Sequence, residues 1–164
     1  MKKFILTLAT ILWMGVIFSF SAKPAEESGE MSRSVGRMAG KIFVSDFANW
    51  SESRRTEFAE GIDYPLRKCA HVTEYAIFGA LLMLTMMSYG NALRDCLIWS
   101  FSIAVFYAAV DEFHQLFVAG RGGRLTDVLI DSLGVVIGIL VVRGIEMLYK
   151  VVYNRKRLKQ ADAI

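Results

Sequence analysis

The chain has 164 residues, 54% of them hydrophobic, with a mean hydropathy of +0.39. That length suits one domain, and the apolar share exceeds that of ordinary globular chains, so membrane insertion is the first fold class to test. A net charge of +3 is too small to argue for nucleic acid, and two cysteines do not make a disulfide scaffold.

Met1-Lys2-Lys3 precedes an apolar run from Phe4 to Phe20, interrupted only by Thr7, Thr10, Gly15 and Ser19. Residues 4–20 reach about 25 Å as a helix, enough for a short first span. A cleaved signal peptide with small residues at Ser19-Phe20-Ser21-Ala22 is the alternative. A polar segment follows, from Ser21 to Leu66. Within it Met31, Val35, Met38 and Ile42 recur at i, i+4, i+7 and i+11, which predicts a helix with one apolar stripe flanked by Arg33, Arg37 and Lys41. Packing on the protein is the expected use of that stripe, and the bilayer surface is the alternative. A shorter helix is expected around Glu52 to Glu60, closed by Gly61 and with Pro65 opening the next element.

Three further spans are expected at residues 69–89, 96–117 and 126–149, followed by a basic tail at 150–164. The two cysteines, Cys69 and Cys96, would flank one span and lie roughly 40 Å apart, far beyond disulfide reach. In the second span Arg67, Lys68, His71 and Glu74 crowd the first turns, while Ala76 to Tyr89 is almost wholly apolar. In the third, the order reverses: an apolar run leads to Asp111, Glu112, His114 and Gln115. A glycine-rich loop carries Gly120, Arg121, Gly122, Gly123 and Arg124. The fourth span starts with Asp127 and Asp131 and continues to Gly134 and Gly138, all on one side. The G-x-x-x-G spacing would let another helix approach closely. Thr126 is read as a helix cap and Ser132 as a small packing residue.

Alternating helix direction turns these scattered charges into one layer. The second span descends as the third ascends and the fourth descends, so His71–Glu74, Asp111–Gln115 and Asp127–Asp131 fall at one end. Lys2-Lys3, Arg94 and the basic tail fall at the other, which the positive-inside rule makes cytoplasmic. The expected architecture is an all-α integral membrane bundle of four transmembrane helices with a helical extracytoplasmic segment between the first and second. Both termini are then cytoplasmic and the polar layer faces outward.

Ionisable groups one or two turns inside an apolar boundary usually face a bundle interior and mark a function. A purely structural ion-pair cluster is the competing account. Three uses fit the residue types. Asp111 or Glu112 would serve as an acid–base group, with Arg121 clamping a phosphate or carboxylate. A divalent metal held by His71, Glu74 and Glu112 would activate water. Or Arg67, His71, Glu74, Gln115, Arg121, Asp127 and Asp131 would bind an anionic headgroup or glycopeptide without chemistry. No serine or cysteine stands in a recognisable nucleophile context. No resident cofactor is expected beyond that metal.

Two long motifs resemble the VanZ-like family of small bacterial membrane proteins. They are Arg67-Lys68-x-x-His71-x-x-Glu74-Tyr75 and Asp111-Glu112-x-x-Gln115-x-Phe117-x-x-Gly120-Arg121-x-Gly123, the latter continuing to Asp127, Asp131, Gly134 and Gly138. The Phe18-Ser19-Phe20-Ser21 exit from the first span also looks like that family. The resemblance implies one four-helix domain in the bacterial cytoplasmic membrane and, through the teicoplanin-resistance protein that names the family, a part in lipoglycopeptide resistance. It supplies no reaction. A membrane enzyme acting on a lipid-linked envelope precursor therefore stands as the alternative to a binder of an amphiphilic or glycopeptide-like ligand. At position 131 the chain has Asp where many relatives carry Asn.

Overall fold

A computed structural model describes residues 1–161, and they form six α-helices with no strand. These are α1 (Lys2–Ser21), α2 (Ala25–Phe43), α3 (Glu52–Gly61), α4 (Asp63–Ser88), α5 (Leu93–Gln115) and α6 (Leu125–Ala161), with one 3₁₀ turn at Phe47–Asn49. Four of them, α1, α4, α5 and α6, are long and apolar enough to cross a membrane. The helix bounds differ from the expected spans in instructive ways. α4 begins at Asp63 because Pro65 falls in its first turn, where a missing backbone N–H costs nothing. α6 does not end at 149 but runs for 37 residues to Ala161, taking most of the basic tail into the same helix. The rest of that tail, 162–164, lies outside the described residues. Thr126 sits within the first turn of α6 instead of capping it, and its hydroxyl lies 3.5 Å from the Asp127 carboxylate.

α4 is the hub, packing against α1, α5 and α6 and also touching α2 and α3. Its closest partner is α6, and the seam between them is made by small residues. A Cβ added at Gly138 would meet the Ala76 carbonyl at 1.9 Å, one at Gly134 the Val72 carbonyl at 2.5 Å, and one at Gly79 the Val135 carbonyl at 2.6 Å. Backbones this close gain van der Waals contact that lipid tails do not offer. Tyr75, Phe78, Met83, Ala104, Ala108 and Val135 fill the core beside the seam, joined by Ile17 of α1. Large apolar side chains such as Phe4, Leu12, Phe106, Leu129 and Leu140 point outward from the spans. That is the inside-out pattern of a bundle solvated by lipid.

α1 is tied to the bundle by polar contacts at several depths. The Thr10 and Thr85 hydroxyls lie 3.0 Å apart, Trp13 Nε1 donates to the Glu74 carbonyl at 2.9 Å, and Tyr107 donates to the Met14 carbonyl at 2.7 Å. Interhelical hydrogen bonds of this kind contribute about 0.6 kcal/mol each in membrane proteins. Cys69 and Cys96 are free thiols, exposed and buried respectively.

The segment between α1 and α4 is helical as expected, but its apolar stripe is used differently. Met31, Val35, Met38 and Ile42 are not packed on the protein; they range from 41% to 68% exposed. α2 instead buries its opposite side, Gly29, Ser32, Gly36 and Gly40. Those small residues permit close packing on Ala59 and Ile62 at Gly36 and on Phe47 at Gly40. Ser32 adds a hydrogen bond to Asp63 at the start of α4. Phe47 and Trp50 each meet Phe58 edge to face and tilt against each other, closing a satellite core under α2 and α3.

Candidate functional site

The polar residues from three helices and one loop do meet at one end of the bundle, and they sort into two layers. The inner layer is a knot around the end of α5. Asp111 and Glu112 are only 3% and 4% exposed. Asp111 Oδ2 accepts from Ser21 Oγ at 2.7 Å and from Gln115 Nε2 at 3.3 Å, which joins the end of α1 to α5. Glu112 Oε1 accepts from Gln115 Nε2 at 3.0 Å, and its Oε2 accepts from the backbone N–H of Arg124 at 2.9 Å. Arg124 immediately precedes α6, so this carboxylate sits at a helix N-terminus, where free N–H groups and the helix dipole favour negative charge.

The loop between α5 and α6 has to come very close to make that bond. A Cβ at Gly123 would lie 2.2 Å from the Glu112 carbonyl, so a side chain there would push the loop away. Gly120 takes a positive φ of 72°, a conformation that glycine adopts without cost. Its carbonyl neighbour Ala119 accepts from the Ala25 backbone N–H at 3.1 Å, fixing the start of α2 to the same loop.

The outer layer lines a cavity of about 690 Å³. Arg67, Lys68, His71 and Glu74 reach it from α4, Gln115 from α5, and Arg121, Arg124 and Asp127 from the loop and α6. Phe20, Met31, Val35 and Leu66 supply its apolar wall. Most of the cations are already paired. Arg67 meets Asp63 at 2.6 Å, Lys68 meets Asp127 at 2.6 Å and Lys23 meets Glu27 at 2.5 Å. Arg124, exposed, and Arg121, half-buried, make no ion pair among the described residues, and Arg121 is the one held inside. Its Nη1 donates to the neutral Gln115 Oε1 at 3.4 Å and its Nη2 to the Phe20 carbonyl at 3.2 Å, while its buried Nε has no partner. Among the described residues it has no carboxylate in ion-pair contact. Burial, with the Arg67 guanidinium nearby, lowers its pKa from the usual arginine value, against the opposing pull of the Asp111, Glu112 and Glu74 carboxylates. The cavity therefore holds a guanidinium that is poorly satisfied by the protein.

His71 bridges the two layers. Its Nδ1 lies 3.5 Å from Asp131 Oδ1, its side chain is 21% exposed, and Asp131 is wholly buried. The contact lacks hydrogen-bond geometry, so both oxygens of Asp131 and the nearby Tyr75 hydroxyl are buried without a partner. Asp111 Oδ1 is unpartnered too. Buried polar atoms are rarely left this way, and each one calls for an explanation.

The structure thus gathers Arg67, His71, Glu74, Gln115, Arg121 and Asp127 around one cavity and sets Asp111, Glu112 and Asp131 behind its wall. His114 is not with them: its ring packs 4.6 Å from that of Phe18, on the α1 side of α5. The metal set does not assemble either. Among the described residues no three His, Cys, Asp or Glu side chains converge on one point, because Glu112 is turned toward Arg124 and Gln115, away from the cavity that His71 and Glu74 line. Ser21 is a participant to which the sequence assigned no role, marking it only as part of the Phe18-Ser19-Phe20-Ser21 exit from the first span.

These features define a class: a multi-pass helical membrane protein with a cationic, half-apolar cavity at one end of its bundle. The profile of the VanZ/LLP1 family matches residues 6–149, and the chain belongs to that family. No curated protein and no solved structure matches it.

Proposed function

We propose that the protein binds an anionic amphiphile in this cavity, with the headgroup at Arg121 and the apolar portion along Phe20, Met31 and Val35. The observation that carries the reading is Arg121 itself, a half-buried guanidinium at the cavity whose hydrogen bonds, among the described residues, go only to neutral acceptors. A guanidinium fork fits phosphate or carboxylate in two-point contact. Glu74 and His71, one turn apart on the same wall, offer an acceptor and a donor for hydroxyl or amide groups of the ligand. A glycopeptide with a fatty chain fits the same description, and lipoglycopeptide resistance is the physiological role we assign at family level. Lys2, Lys3, Arg94 and the basic end of α6 support a bacterial cytoplasmic membrane with both termini cytoplasmic and the cavity outside.

The test is binding in detergent or nanodiscs. A lipid phosphate monoester and teicoplanin should each bind saturably, and Arg121→Gln should remove both. Equal binding to wild type and Arg121→Gln would sink this reading.

One observation favours a second reading, a membrane enzyme acting on a lipid-linked envelope precursor. His71 faces the cavity with Asp131 behind its Nδ1 at 3.5 Å, a placement from which a small shift would make the hydrogen bond by which a carboxylate orients a general base. Asp111 and Glu112, the acid–base pair expected from the residue types, have their polar atoms turned into the knot. Incubation with labelled lipid-linked substrates separates the readings. Product formation lost in His71→Gln supports the enzyme, and saturable binding without product supports the binder.

A further inference from the structure

The exposed face of α2 has no protein cover, and its position says what covers it. α1 ends at Ser21 and α2 begins at Ala25. The Ala25 N–H is bonded to Ala119 in the loop that joins two spanning helices. Both chain segments that fix the start of α2 are therefore at the level where spans leave the membrane. From that point α2 carries Met31, Val35, Met38 and Ile42 outward, on the side opposite its packed glycines. Arg33, Arg37 and Lys41 run along one border between those two faces, Arg37 reaching to Glu52 and Thr56 of α3 and leaving Arg33 and Lys41 for headgroups. A narrow apolar stripe with a cationic border is the pattern of a helix lying in the headgroup region, with the stripe in the acyl chains and the cations among phosphates.

The cavity adjoins that stripe. Ser28, Met31, Ser32 and Val35 line it from α2, so its rim includes the first two residues of the exposed apolar face. Phe20 and Tyr64, both exposed, stand beside the same rim. An opening edged by exposed apolar side chains suits lipid better than water.

We propose that α2 is an in-plane membrane helix and that the cavity opens sideways into the bilayer beneath it. A phosphate-bearing lipid then slides in along Met31 and Val35 until its headgroup meets Arg121. The second half of this inference rests on the anion-binding reading above; the first half does not.

Two measurements keep them apart. In a Cys69→Ser, Cys96→Ser background, single cysteines at Met38, Ile42 and Arg33 are labelled with a fluorophore in proteoliposomes. Lipids brominated high on the acyl chain should quench the labels at Met38 and Ile42 several-fold more than the label at Arg33. Quenching by aqueous iodide at Met38 instead, or a concentration-dependent cross-link between copies at that position, overturns the in-plane helix and the lateral opening with it.

The second measurement uses phosphatidic acid with a photoreactive acyl chain, supplied in phosphatidylcholine vesicles. The chain should cross-link to α2 around Met31 and Val35, and Arg121→Gln should abolish this while leaving the bromolipid pattern intact. Cross-linking that survives Arg121→Gln means ordinary surrounding lipid and overturns the headgroup reading alone. Suppression by millimolar inorganic phosphate would show a free-anion site and overturn lipid as the source.

Discussion

Glu112 and Asp131 are both carboxylates inside spanning helices, and both are buried to within 4% of full exclusion. Their surroundings differ completely. Glu112 has a donor on each oxygen, one from a side chain and one from the N-terminus of α6. Asp131 has only a loosely placed imidazole edge, and neither oxygen makes a hydrogen bond. A fully partnered buried acid holds structure, because removing it strands its donors. An unpartnered one is a cost that packing alone does not explain. The contrast teaches that the acidic motif has two jobs: one acid clasps the loop, and the other stands behind the cavity residue His71.

The sharpest way to break this contrast is Glu112→Ala. It leaves the Arg124 N–H and the Gln115 amide without acceptors, and the expected loss is about 3 kcal/mol of stability, read as lowered thermal unfolding in detergent. Glu112→Gln should recover part of it. Arg121→Gln comes next and acts on the other side of the contrast: the fold should hold, while binding of a lipid phosphate monoester weakens by about tenfold or more as a charge-assisted contact is lost. Lys68→Met removes one half-buried ion pair with Asp127 and should cost about 1 kcal/mol, measured on the same unfolding curve. Asp131→Asn should be the mildest, within about 0.5 kcal/mol of wild type, since it trades a carboxyl group that makes no hydrogen bond for a neutral amide of the same shape. If Asp131→Asn destabilised as much as Glu112→Ala, the two acids would share one structural role and the division drawn here would fail.

Much of the fold could be read in advance, and the reasons are physical. Hydrocarbon tolerates few structures, so apolar runs of the right length specify spanning helices. Alternation of direction then sets the level of every charge, and the glycine spacing at 134 and 138 marks a close helix approach on α6 without naming α4 as the partner. Rotation about each helix axis was harder. Asp111 and Gln115 share a face, but nothing in their spacing says whether that face turns to the cavity or to Ser21. It turns to Ser21. The stripe on α2 raised a similar problem. Its period identified an apolar side without identifying the medium that side would meet. The better clue lay on the other side, where Gly29, Ser32, Gly36 and Gly40 share the regular spacing of a packing face. The outer wall of the cavity was legible as a set of charges at one level; which of them would be neutralised by neighbours, and which left over, depended on side-chain reach.

The length of α6 has a mechanical meaning. Its 37 residues make a rod of about 55 Å, while the hydrocarbon layer is about 30 Å thick. A tilt within the usual range absorbs only part of the difference, so the last turns stand clear of the membrane as a stiff extension of the shaft that carries Asp127 and Asp131. A small pivot at the cavity end would swing that extension in the opposite sense. A probe attached near Tyr153 would therefore act as the pointer of a lever, reporting from the far face of the membrane on movements at the cavity.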